Sequence, residues 1–208
     1  MRKEKYLNIS QHRMRKHFKI TDEEWAYFTN RIEYKEYKKG TILTNINEIE
    51  DSLFILLSGY VRFYFKANGN EYTISYVEPS SIMNNLESFM KQEPSKFTIE
   101  ATTDIHVFKI SHKHIMESYD ESHLAERVGR IFVEIGLIRR FNREVAMQCK
   151  SAKERYLDLL SEHPKLIKEI NQKEIAAFIC ITPESFSRLK KKIKKDKTKL
   201  NNFKSLVK

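Results

Sequence analysis

Cysteine is almost missing from this chain: Cys149 and Cys180 are the only two in 208 residues. Two thiols cannot build a four-thiolate iron–sulfur cluster or a four-cysteine zinc site. So thiol-poor a chain fits a reducing cytoplasm. Glycine is scarce as well, with five residues, and none opens a Gly-rich phosphate loop. No apolar run approaches the roughly 20 residues that span a bilayer, so no membrane partner is expected. The first stretch, MRKEKYLNISQHRMRKHF, is basic but has no apolar h-region, which argues against a secretory signal. No nucleophile–base pair or metal-ligand set occurs at a telling spacing, so neither an enzyme nor a metal site is expected. His12 with His17, and His112 with His114, are near pairs without further ligands and read as surface histidines.

Charge of one sign is in surplus, and unevenly so. The net charge is +10. Residues 150–208 carry 16 Lys and Arg against 7 Asp and Glu, while residues 20–149 carry 15 against 20. The cation excess therefore gathers at one end, as a polyphosphate partner requires. Residues 1–19 hold 7 basic and 1 acidic residue and read as a helix or a loose arm without an assigned role.

Within the basic end lies INQKEIAAFICITPESFSRLKKKI, residues 170–193. Asn171 is a helix cap with Glu174 three residues on, and Ile175, Phe178 and Ile179 make one apolar face. The helix ends near Cys180. Thr182 caps a second helix with Pro183 at its first position, where no N–H is needed. Phe186, Leu189 and Ile193 would face inward. Glu184, Ser185, Ser187, Arg188, Lys191 and Lys192 stay outside. Two short helices with a tight turn and a basic outer face make a helix-turn-helix.

IxQxxIAxxxxITPESxSRxxKK resembles the DNA-binding motif of the Crp/Fnr transcription regulators of bacteria. Ala176 stands where that motif wants a small residue for helix crossing. Cys180 departs from it, because the family usually has Gly in the turn and Cys must there accept a left-handed backbone. The resemblance implies a cytoplasmic, sequence-specific regulator that binds double-stranded DNA as a homodimer and can contact RNA polymerase. It implies that Arg188 reads guanine and Glu184 accepts from cytosine, with Asn171, Gln172, Lys173, Thr182, Ser185, Ser187, Lys191 and Lys192 as further DNA contacts. Pro183 falls where the family has a base-reading Arg, so the site read here should differ.

Residues 37–110 read as short strands: Thr41–Leu43, Ser52–Leu57, Tyr60–Lys66, Glu71–Val77, Phe97–Ala101 and His106–Ile110, with Asn68-Gly69 as a hairpin turn. Strands so spaced suggest an antiparallel sandwich or barrel. LFILLSGYVRFYFKANGNEYTISYVEP looks like the β-roll of a cyclic-nucleotide-binding domain. Members that bind the nucleotide carry a Gly-Glu pair after the sheet and a later Arg for the cyclic phosphate. Here those positions are Asn84-Asn85 and Ser95, so the resemblance argues against cyclic AMP or cyclic GMP in the usual mode. Asn84, Asn85, Ser88, Ser95 and Lys96 remain as a weak effector pocket, and no cofactor is expected.

Between roll and motif runs a long helical pattern. Leu124, Val128, Ile131, Ile135, Ile138, Asn142 and Val145 hold a heptad seam, read as a parallel dimer interface with Asn142 fixing register. Phe132, Leu137 and Phe141 are expected against the chain's own roll. Ser151 with Glu154 opens a further helix, with Leu157 and Leu160 turned inward and Pro164 past its end. The lysine-rich stretch after Ile193 is too poor in strand formers for a β-hairpin wing and reads as a phosphate-contacting or disordered tail. The expected fold is α+β: a β-roll (jelly roll) over residues 1–120, a dimerisation helix over 121–148, and a winged-helix-like helix-turn-helix domain over 149–208 with its wing reduced or absent. The alternative reading is a small-molecule-sensing β-roll dimer whose DNA binding is secondary or vestigial.

Overall fold

The computed structural model describes residues 2–206, with side chains through Lys195 apart from His17. The chain divides into two compact units, Met1–Arg140 and Phe141–Lys208. No helix among the described residues is long and apolar enough to cross a membrane.

The first unit opens with helices α1 (Arg2–His17) and α2 (Asp22–Thr29). The Thr21–Glu24 capping box forms as its spacing demands, with Glu24 N–H donating to Thr21 Oγ1 at 3.2 Å and Thr21 N–H to Glu24 Oε2 at 2.9 Å. Trp25 and Phe28 are half-buried and Ile32, past the helix end, is buried. α1 is a docked helix rather than a loose arm. Tyr6 stacks on Tyr34 and leans on His106, and with Leu7 it packs against the cluster around Phe89 and Phe108.

Eight strands follow in sequence with one short helix among them: β1 (Glu33–Tyr37), β2 (Ile42–Thr44), β3 (Ser52–Ser58), β4 (Val61–Ala67), β5 (Asn70–Val77), β6 (Ile82–Met83), α3 (Leu86–Lys91), β7 (Thr98–Ala101) and β8 (Ile105–Ser111). They form two four-stranded sheets, β1-β8-β3-β6 and β2-β7-β4-β5, with every pairing antiparallel. The expected strands are present within a residue or two. β1, β6 and α3 are additions: β6 and α3 are short, and β1, EYKEY, has three charged residues in five. Asn68 and Gly69 both take positive φ, 51° and 74°, as the two central residues of the β4–β5 hairpin must. Phe54, Leu56, Val61, Ile99, Ile105 and Val107 meet between the sheets and are at most 2% exposed. Burying each contributes roughly 1.5–3 kcal/mol relative to leaving it in water.

Two helices close the roll: α4 (His112–Glu121), capped by Ser111, and α5 (His123–Cys149). Gly129 lets them cross, because a Cβ there would lie within 2.8 Å of the Tyr119 ring. The boundary between the two units falls inside α5. Residues beyond it form α6 (Ala152–Glu162), α7 (Leu166–Glu169), α8 (Gln172–Phe178) and α9 (Pro183–Leu206). Ser151 and Glu154 form the expected capping box on α6. The inward face of α6 is different from the one expected. Leu157 is 40% exposed, while Tyr156 and Leu159 are buried and Tyr156 meets the Phe186 ring edge-on at 5.0 Å. Both registers have an apolar residue to offer, and the larger aromatic takes the space beside Phe186.

Among the described residues no strand follows β8, so the helix pair carries no β-hairpin wing. The tail is not irregular: α9 continues through Leu206. With neither Gly nor Pro after Pro183, nothing in that stretch stops a helix once begun. The phosphate contacts expected of the tail's lysines past residue 195 fall outside the described side chains.

Candidate nucleic-acid interface and ligand cassette

The helix-turn-helix is built from caps inward. Asn171 Oδ1 accepts from Glu174 N–H at 2.9 Å, and Glu174 returns the bond to Asn171 N–H at 2.8 Å. α8 then ends in a left-handed turn. Cys180 has φ +56°. Its N–H donates to Ala177 O at 3.1 Å, and Ile181 N–H reaches Ala176 O at 3.0 Å, the paired bonds of a Schellman ending. Cys180 thus performs the job usually left to Gly. Thr182 Oγ1 accepts from Ser185 N–H at 3.2 Å to start α9 behind Pro183. Ala176 is fully buried, and Ile175, Ile179 and Phe186 are at most 5% exposed.

The opposite face stays open. Glu184, Ser187, Arg188, Lys191 and Lys192 are exposed on α9, as are Asn171, Gln172 and Lys173 at the start of α8 and Thr182 and Pro183 in the turn. Ser185 is half-buried and bonds Arg188 Nη2 through its Oγ at 3.1 Å. Backbone N–H groups at the helix start, with the Thr182 side chain, hold the Glu184 carboxyl below its ordinary range, so it stays a charged acceptor. The expected contact residues are therefore exposed, apart from the half-buried Ser185, and include one guanidinium and one carboxylate on α9.

On α5 the seam opens only part-way along. Leu124 is 8% exposed within the single chain, and Val128 and Ile131 are half-buried. Ile135 at 45%, Ile138 at 59% and Val145 at 57% are bare, and Asn142 is exposed beside them. Leu137 and Phe141 do not pack on the roll as expected: they are 55% and 57% exposed, and only Phe132 is half-buried.

The cassette is closed on itself. Asn84, Asn85, Ser88 and Ser95 are all at most 8% exposed. Asn85 caps α3, and its Nδ2 donates to Ser95 Oγ at 2.5 Å. Ser95 Oγ in turn bonds Phe97 O at 2.5 Å. Lys96 stands apart, its ammonium paired with Glu87 at 2.7 Å and its side chain 69% exposed.

Sequence reasoning missed Glu50, which is 1% exposed in the same cluster. Its carboxylate accepts from Thr44 Oγ1 at 2.8 Å, Ser52 N–H at 3.2 Å and Asn85 N–H at 3.4 Å. Glu50 N–H donates to Ser88 Oγ at 2.9 Å. Burial pushes the Glu50 carboxyl above its ordinary value despite those donors. Glu50 lies in the acidic run EIED, which reads as a solvated loop, so nothing local marks it out. The Asn84 Oδ1 atom is buried without a hydrogen-bond partner. Among the described residues no group of three or more His, Cys, Asp or Glu is placed to hold a metal.

Residues 34–122 match the family profile of the cyclic nucleotide-binding domain. No curated protein sequence matches the chain. Solved structures share the fold at low identity. FixK2 from Bradyrhizobium japonicum superposes with a TM-score of 0.69 at 15% identity, covering 79% of this chain and 85% of that one. A protein from Eubacterium rectale assigned to the Crp/Fnr family of transcriptional regulators gives 0.70 at 18%, covering 85% of each chain. CLP, the c-di-GMP-responsive global regulator of Xanthomonas campestris, gives 0.65 at 15%, covering 82% of this chain and 90% of that one. The likeness extends past the β-roll to most of the chain. The fold is therefore that of Crp/Fnr-type regulators, a cyclic-nucleotide-binding-like roll followed by C-terminal helices.

Proposed function

We propose that the chain is a homodimeric, sequence-specific DNA-binding transcription regulator of the Crp/Fnr type that does not use cyclic AMP. The observation that carries this reading is the capped α8–α9 pair, which presents Arg188 and Glu184 on an exposed, lysine-rich face. Arg188 makes the bidentate contact with guanine, and Glu184 accepts from the cytosine amino group. Lys173, Lys191 and Lys192 neutralise phosphates and set orientation, with polar contacts from Asn171, Gln172, Thr182, Ser185 and Ser187. Pro183 adds no base contact, since it has neither N–H nor polar side chain.

The bare stripe of Ile135, Ile138 and Val145 supports pairing of two copies through α5. A two-fold pair presents two copies of α9 about 34–36 Å apart, one turn of B-DNA, and so reads a near-palindrome. Selection from random duplexes with the purified chain, followed by footprinting, tests this. The expected product is an inverted repeat of short half-sites bound more tightly than bulk DNA; equal binding to all duplexes at moderate salt would refute the reading.

A further inference from the structure

Every helix of α8's kind leaves its last carbonyls without intrahelical donors. Here each one is accounted for. Ala176 O and Ala177 O are taken by the Schellman bonds from Ile181 and Cys180. That leaves Phe178 O and Ile179 O, and two arginines from other helices take them. Arg143, in the last turns of α5, donates from Nη2 to Phe178 O at 2.9 Å and lays its guanidinium over the Phe178 ring at 4.3 Å. Arg155, on α6, donates to Ile179 O from Nε at 3.1 Å and from Nη2 at 2.9 Å. Its third nitrogen, Nη1, reaches back to Lys150 O at 2.5 Å, where the chain leaves α5.

We infer that Arg143 and Arg155 are positioning residues for the recognition helix, an inference that rests on the DNA-binding reading above. These hydrogen bonds go to the Phe178, Ile179 and Lys150 carbonyls, not to Arg188 or Glu184. Together they fasten the end of α5, the α5–α6 junction and α6 to the two carbonyls that precede the Cys180 turn. That turn determines where α9 begins, so the clamp sets the direction in which Arg188 and Glu184 are presented. Arginine is needed at both places for geometric reasons. Arg155 serves two carbonyls on different segments with one planar fork, and Arg143 combines a carbonyl bond with an aromatic face. A lysine ammonium, a single point on a flexible stem, reproduces neither arrangement. A clamp of this kind makes the separation of the two reading helices in a dimer a property of α5 and α6, not of the turn alone.

The test uses the full chain with Arg143→Lys and Arg155→Lys, separately and together. Thermal melting reports folding. Hydrogen exchange of the amides from residue 176 to 186 reads the turn without any DNA. Binding to duplexes carrying the selected half-sites at altered separations reads the geometry. The lysine variants should fold, exchange at least about tenfold faster in the turn, and bind the paired site about tenfold more weakly. Their base preference within a half-site should be kept while their preference for one separation broadens. Folded variants with wild-type exchange and wild-type separation preference would overturn the clamp. So would loss of folding by both single variants, because the arginines would then hold the unit together and not aim α9. If the wild type shows no sequence preference while the variants still exchange faster in the turn, the clamp stands and the DNA-binding reading falls.

Discussion

Asn85 and Ser95, ten residues apart, are hydrogen-bonded to each other through Nδ2 and Oγ at 2.5 Å, both buried. They occupy the positions where the family resemblance places the ribose-binding Glu and the phosphate-binding Arg. Each satisfies the other, and Glu50 adds a buried carboxylate that accepts from the Asn85 backbone. An anionic ligand would have to break these bonds beside the buried Glu50 carboxyl.

Cyclic AMP and cyclic GMP should therefore leave the melting temperature unchanged at millimolar concentration, where a ligand with a micromolar Kd would stabilise by about 4 kcal/mol. Asn85→Ala should cost about 1–3 kcal/mol, because it removes the bond to Ser95 and uncaps α3. A nucleotide-induced rise in melting temperature of several degrees would show that the cassette opens.

Glu50 should make stability fall as pH rises. Its folded pKa lies above the ordinary value of 4.5 because burial disfavours the carboxylate. The folded state thus holds the proton more tightly than the unfolded one. The resulting stability is complete below about 4.5 and is lost as pH climbs through the folded pKa. Glu50→Gln removes this dependence, so the variant should gain on the wild type in melts run from pH 4 to pH 8. Parallel curves across that range would mean that the donors to Glu50 fully offset its burial.

The left-handed Cys180 can be tested by substitution. A non-glycine residue in that conformation carries roughly 1–2 kcal/mol of strain, while Gly costs roughly 0.5–1 kcal/mol in chain entropy. Cys180→Gly should be neutral or stabilising by up to about 1.5 kcal/mol in chemical denaturation. Cys180→Val should destabilise, since a β-branched side chain is worse in a left-handed turn.

DNA contacts separate into two kinds. Lys191→Ala should weaken binding to all sequences alike and lower the slope of log K against log salt by about 1. Arg188→Ala should cost about 1–3 kcal/mol at one base pair and relax preference there. Quantitative binding to single-base variants at two salt concentrations distinguishes them; an Arg188 variant with intact preference would reassign the reading residue.

Ile138 is the place to break the proposed dimer without harming the fold, because it is 59% exposed in the single chain. Ile138→Lys should leave the melt of the single chain nearly unaltered and shift sedimentation toward a monomer. Paired-site affinity should fall in parallel.

What the sequence determined by itself was everything settled within a few residues. The Ser151 and Asn171 caps, the Asn68-Gly69 turn and the Thr182-Pro183 start all formed as read, because each depends on residues at most three positions apart. The strands followed from their β-branched and aromatic content, and the inward face of α8 from its periodicity. Tertiary structure decided the rest. Leu157 and Leu159 are chemically identical on one helix, and packing against other elements picks which is buried. Glu50 reads as a surface acid until Thr44, Ser52 and Asn85 are folded around it. Arg143 and Arg155 meet carbonyls 35 and 24 residues away, a distance over which local sequence carries no instruction. Burial and long-range hydrogen bonding depend on which elements are brought together, and that is fixed only when the whole core packs.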